Sequence, residues 1–117
     1  MIVRAGRIYV RELIRGDQTA GFLYVGVGTG TTTETDNDTG LGTEMLRMLC
    51  IPSADGDRFG LFIASLSAMD YVGTTPSEWG LFTASSGGSM LLRKMKALSS
   101  AKTNLEELEI SIKVEIK

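Results

Sequence analysis

From Glu107 to Lys117 the chain alternates without a break. Leu108, Ile110, Ile112, Val114 and Ile116 point one way, and Glu107, Glu109, Ser111, Lys113, Glu115 and Lys117 the other. A period of two over this length predicts a strand with one buried and one wet face, since a helix would scatter the same apolar residues around its axis. Upstream, Phe22–Val27 is a short apolar run bounded by glycines, and Met45–Ile51 is a second run that Pro52 should stop. Phe59–Ala68 follows the turn signal Asp55-Gly56-Asp57, which predicts a hairpin with the run before it. It is apolar on both faces, as expected of a central strand covered on both sides. Glu78–Thr83 and Met90–Leu98 flank Ser85-Ser86-Gly87-Gly88, a second hairpin signal.

Two segments carry a mixed signal. Gly6–Ile14 holds Ile8, Val10, Leu13 and Ile14. A helix ending at Gly16 is the preferred reading and a first strand the alternative. Ser99–Glu106 reads as a loop. Short strands separated by Gly, Asp and Ser loops predict an all-β, mainly antiparallel fold. It would be a β-sandwich or small jelly-roll-like barrel, with one short N-terminal helix. No internal repeat or linker divides residues 1–117, so one domain is expected.

With 117 residues, of which 43% are hydrophobic and 22% charged, the chain can bury a core without disulfides. Cys50, the single cysteine, lies in the apolar run Met48-Leu49-Cys50-Ile51, where a buried, inert thiol is expected. The net charge of −2 gives no basic field for nucleic acid. The charges are segregated, however. Arg4, Arg7, Arg11 and Arg15 stand near the start, Glu34, Asp36, Asp38, Glu44, Asp55 and Asp57 in the middle, and Arg93, Lys94, Lys96 and Lys102 later. They read as solvated faces or, more specifically, as unlike patches that dock between subunits. No leader pattern follows Met1, and no run approaches the roughly 18 apolar residues of a membrane span. Synthesis in a cytoplasm without membrane contact is the expectation.

Little of the sequence suggests chemistry. Gly28-Thr29-Gly30-Thr31-Thr32-Thr33 lacks the lysine of a phosphate loop and the third glycine of a dinucleotide fingerprint, so it reads as a strand-ending turn. Asp36-Asn37-Asp38-Thr39-Gly40 has oxygen ligands at alternate positions. A calcium loop would need glycine where Leu41 stands and glutamate where Arg47 stands, so Asx turns are the simpler account. Glu78, beside Trp79, is the one carboxylate whose neighbours suggest burial. Burial alone would raise its pKa, while pairing with a lysine or arginine is the more ordinary outcome. The chain has no histidine and no nucleophile–base pair. No catalytic residue, cofactor site or metal site is assigned, and an enzyme is not expected.

One arrangement of motifs is distinctive. Tyr24-Val25-Gly26-Val27-Gly28-Thr29-Gly30 is followed by a Thr/Asp-rich loop, then by Leu41, Glu44 and Arg47. After a hairpin come Glu78-Trp79-Gly80-Leu81-Phe82, a glycine loop, Met90-Leu91-Leu92-Arg93 and the alternating strand. Over residues 7–117 this layout resembles small virion proteins of tailed phages and prophages, described as tail-fibre-like, baseplate-associated or capsid-decorating. Those proteins often carry isoleucine or valine where Trp79 stands. The resemblance implies a non-enzymatic structural protein of the virion, made in the host bacterial cytoplasm. Its partners would be copies of itself and other capsid or tail proteins, with capsid decoration slightly preferred over tail fibre, baseplate or neck. Glycines after the first strand are expected to turn the backbone with φ > 0. Gly80 should leave room for a ring or a backbone, and Leu91 and Leu92 should face opposite sides. Trp79, Gly80, Phe82, Leu92, Ile110 and Ile112 are the residues expected to carry packing and assembly. The alternative is a carbohydrate- or receptor-binding β-module, which would need Trp79 or Tyr71 exposed in a shallow groove.

Overall fold

The computed structural model describes residues 1–55, 59–66, 75–95 and 108–115. Among them helix α1 (Arg4–Arg15) leads into seven strands: β1 (Tyr24–Gly28), β2 (Glu44–Leu49), β3 (Ile51–Asp55), β4 (Phe59–Leu66), β5 (Glu78–Phe82), β6 (Met90–Met95) and β7 (Leu108–Glu115). They form a four-stranded sheet, order β2-β1-β5-β6, and a three-stranded sheet, order β3-β4-β7. Every strand pair is antiparallel. The fold is a small sandwich-like, mostly antiparallel β domain with one N-terminal helix.

Helix α1 buries Gly6 and Tyr9 and half-buries Val10 and Leu13, the i, i+3, i+4 and i+7 positions of one face. Its arginines at 4, 7, 11 and 15 stay outside. Gly16 ends it in the left-handed region at φ 84°, with its N–H bonded back into the last turn. Tyr9 meets the Phe22 ring edge-on at 5.3 Å and donates its hydroxyl to the Ala20 carbonyl. The segment after the helix is thereby fixed beneath it.

The main core joins α1 to both sheets. Val25, Val27, Trp79, Leu81 and Leu92 come from the four-stranded sheet, and Ala64 and Val114 from the other, with Phe62 and Ile112 packed beside them. Cys50 is buried where the chain leaves β2 for β3, and its N–H is held by the Leu23 carbonyl. Burial pushes its thiol pKa up. The break therefore falls at Cys50 rather than at Pro52. Pro52 lies within β3, an edge strand, where a residue without an N–H is tolerated.

Three other expectations change. Strand β4 is central in its sheet, but only its even face is in the core. Leu61 and Ile63, on the other face, are partly buried and outside the core cluster. Leu91 and Leu92 do not separate across two layers. The β5–β6 register shifts between Leu81 and Phe82, and both leucines join one core. A bulge of this kind re-aims a side chain and frees a backbone group, and here the Leu91 carbonyl takes the Val3 N–H. Finally, Ser99–Glu106, Tyr71 and both ends of the alternating C-terminal run lie outside the described residues.

Gly6 sits directly on that bulge. A Cβ there would come within 2.6 Å of the Leu91 Cα and 2.8 Å of its carbonyl carbon. Backbone cannot rotate out of the way as a side chain can. Gly6→Ala is expected to lower stability in denaturant melts by about 1–3 kcal/mol, the usual range for overpacking. Gly21→Ala, with nothing within 4 Å, is the control and should be close to neutral.

Candidate functional site

The connection from β1 to β2, residues 29–43, has no strand or helix of its own. It lies as a strap across the face of the four-stranded sheet opposite the main core. By register, Gly26, Gly28, Glu78, Gly80, Phe82 and Arg93 all belong to that face. Glu78 and Arg93 are 0% and 2% exposed there.

Glu78 is saturated. Its Oε1 accepts from the Gly42 N–H at 2.7 Å and from Arg93 Nε and Nη2 at 3.1 and 2.9 Å. Its Oε2 accepts from the Gly30 and Thr43 N–H groups at 2.6 and 2.8 Å. Arg93 spends its other donors on the strap, reaching Thr32 O and Oγ1, Thr33 O and Asp38 Oδ2. Burial pushes the Glu78 carboxyl up, but the Thr43, Gly42 and Gly30 N–H groups and the Arg93 guanidinium outweigh it. The net shift is below the ordinary glutamate value. Pairing with arginine therefore describes Glu78, and a raised pKa does not.

The glycines of this region are required by close approach, not by backbone angle. Positive φ occurs at Gly16, Gly87 and Gly88, not at Gly28 or Gly30. A Cβ at Gly28 would lie 2.6 Å from Glu78 Oε2, and one at Gly30 2.8 Å from Glu78 Cδ. Gly26 and Gly80 leave room for the Phe82 ring and Leu41. Above Phe82 the Arg47 guanidinium stacks at 3.6 Å from the ring centroid. Arg47 also pairs with Glu44 and donates to the Ala84 and Gly87 carbonyls, which ties down the β5–β6 turn.

Charges that are segregated in sequence meet within the chain. Arg7 grips Asp36 through two bonds of 2.7 and 2.9 Å. Asp38 takes Arg93 and the Thr35 N–H and hydroxyl, and the N-terminal ammonium takes Glu34. The acidic oxygens of Asp36 and Asp38 are thus occupied by cations and turn donors. Among the described residues no group of three Cys, His, Asp or Glu is placed to hold a metal ion.

The expected packing residues are placed as follows. Trp79 and Leu92 are in the main core, at 9% and 8% exposure. Phe82 and Gly80 lie under the strap. Ile112 packs against the core, and Ile110 pairs in register with Ala64 on the same strand face. Two residues that matter were visible only indirectly. Arg93 follows the apolar run Met90-Leu91-Leu92 and precedes exposed Lys94, so alternation along β6 puts it on the opposite face from Lys94, the one signal of its burial. Leu41 is the strap's apolar anchor, and nothing local distinguishes it.

The outer surface carries its own apolar set. Leu49 and Ile51 are 68% and 71% exposed on either side of buried Cys50, with Leu23 beside them at 40%. Ile51 pairs in register with Ile63 on the outer face of the three-stranded sheet. Between α1 and the inner face of that sheet runs a groove of about 430 Å³, lined by Val10, Leu13, Phe22, Phe62 and Val114. No described helix is long and apolar enough to cross a membrane. No protein-family model matches the chain, and neither does any curated protein.

Proposed function

We propose that the chain is a non-enzymatic structural component of a tailed-phage particle, which packs against copies of itself and neighbouring virion proteins. A capsid-decorating role is preferred over a tail-fibre, baseplate or neck position. The observation that carries this reading is the outer face of the three-stranded sheet, where Ile51, exposed, pairs in register with partly buried Ile63 and Leu61 stands two positions along β4, with exposed Leu49 on the other side of Cys50. Exposed apolar side chains that neighbour one another across a strand pair offer a place where another chain can dock. The charged groups of the strap are consumed in holding the fold, which is the economy of a structural part. The motif layout of residues 7–117 supports the virion setting.

The test is association in solution. Sedimentation across a wide concentration range should show mass rising above the monomer. Leu49→Lys with Ile51→Lys should weaken association by about tenfold or more per residue, from the 1.5–3 kcal/mol of a buried aliphatic side chain. Tryptophan emission and the melt should stay unchanged. A monomer at every concentration, with contacts below about 800 Å² in any particle, would contradict the reading.

A further inference from the structure

The two sheets and the strap are held by different forces. The sheets share an apolar core and antiparallel ladders. The strap is held by charge. Among the described residues its polar contacts with the rest of the chain are chiefly the Glu78 and Arg93 bonds, the Arg7–Asp36 pair, the Arg4 N–H on the Asp36 carbonyl and the Glu34 pair with the N-terminal ammonium. Its apolar contribution is Leu41, partly buried against Phe82. Ser77 adds one hydroxyl bond to the Gly30 carbonyl.

Glu78 and Arg93 are dry because the strap lies over them. Removing two charges from water is costly, and the surrounding hydrogen bonds must offset that cost. Lifting the strap returns both groups to water without touching the main core, which lies on the opposite face of the same sheet. A segment with little apolar burial and a desolvation cost relieved by opening belongs at the low-stability end of a structure.

We propose that residues 29–43 open as one unit, ahead of the two sheets, when the Glu78 carboxylate beneath them and the Asp36 and Asp38 carboxylates within them take up protons, uncovering the Gly26, Gly80 and Phe82 face. This inference is independent of the virion reading. The carboxyls held below their ordinary values are Glu78 on β5, Asp38 on the strap and Asp36 with Arg7 of α1; the other charges around them are Arg93 on β6, Arg4 of α1, the N-terminal ammonium with Glu34, and Arg47 with Glu44 on β2. Asp38 is held below the ordinary aspartate value chiefly by the Thr35 N–H, with Arg93 adding to it. Groups with depressed pKa stabilise the closed strap above their ordinary values, and that stabilisation is lost as pH falls through the depressed ones. The strap should therefore hold at neutral pH and release only below the usual carboxylate range.

Amide hydrogen exchange of the full chain, run from neutral to acid pH, tests this, with Trp79 emission reporting the core. Protection at Gly30, Gly42 and Thr43 should fall by about tenfold per pH unit for each proton taken up, while Trp79 emission holds. In Glu78→Gln the strap amides should be unprotected already at neutral pH. Where that variant does not fold, Asp38→Asn should show a smaller loss of strap protection with an unchanged core. Strap amides and Trp79 changing at one shared midpoint would overturn the proposal. So would strap amides as protected in Asp38→Asn as in the unaltered chain.

Discussion

Deleting residues 111–117 is expected to leave a chain with no cooperative melt. Strand β7 pairs with β4 from Leu108↔Leu66 through Glu115↔Phe59, and the deletion keeps only the first three of those positions. It removes Val114, 9% exposed in the core, and Ile112, which packs beside it. Each such side chain contributes about 1.5–3 kcal/mol, against a typical total of about 5–15 kcal/mol. The backbone groups of Phe59 to Ile63 also lose their β7 partners, and what remains of that sheet is chiefly the β3–β4 pair. Two strands alone are marginal in water. Circular dichroism during heating should show a broad, featureless change and the protein should bind a hydrophobic dye. A truncated chain with a native-like sigmoidal melt would show that β7 is dispensable.

Trp79→Ala is expected to cost about 3–5 kcal/mol, the range for truncating a buried large aromatic side chain. Trp79 stands on β5 opposite Val27 of β1, on the face that packs into the main core. It is the only tryptophan, so emission reports its surroundings directly. In the isolated chain that emission should be blue-shifted and poorly quenched by iodide, and the denaturant midpoint of the alanine variant should fall accordingly. Free quenching in the native state would instead place the ring at the surface, where it could stack on a sugar.

Much of the fold was legible because its signals are local. The alternation through Ile112 and Val114 has one structural meaning. Gly16 after an amphipathic stretch marked the end of α1, and Gly87-Gly88 marked a turn that does use positive φ. The break between β2 and β3 was misplaced because Pro52 is a stronger local signal than Cys50. Its preference for an edge could only be used once the strand order was known. The strap was less legible still. Gly28 and Gly30 read as a turn because their true constraint, the Glu78 carboxylate, is nearly fifty residues away in sequence. Glu78 was recognised as a candidate for burial and pairing, but Arg93 was one cation among several. Only the β5–β6 register brings it opposite Gly80 and beside Glu78. The segregated charges suggested docking between chains, whereas Arg7–Asp36 and Arg93–Asp38 close within one.

The central claim is that this chain is a structural part of a phage particle. Quantitative mass spectrometry of purified tailed-phage particles, from cells in which this chain is made, tests it most directly. The account predicts that the chain co-purifies at a fixed ratio to the major capsid protein, with hundreds of copies for decoration and a few to a few dozen for baseplate, fibre or neck. A chain abundant in the lysate but absent from the purified particles would contradict it.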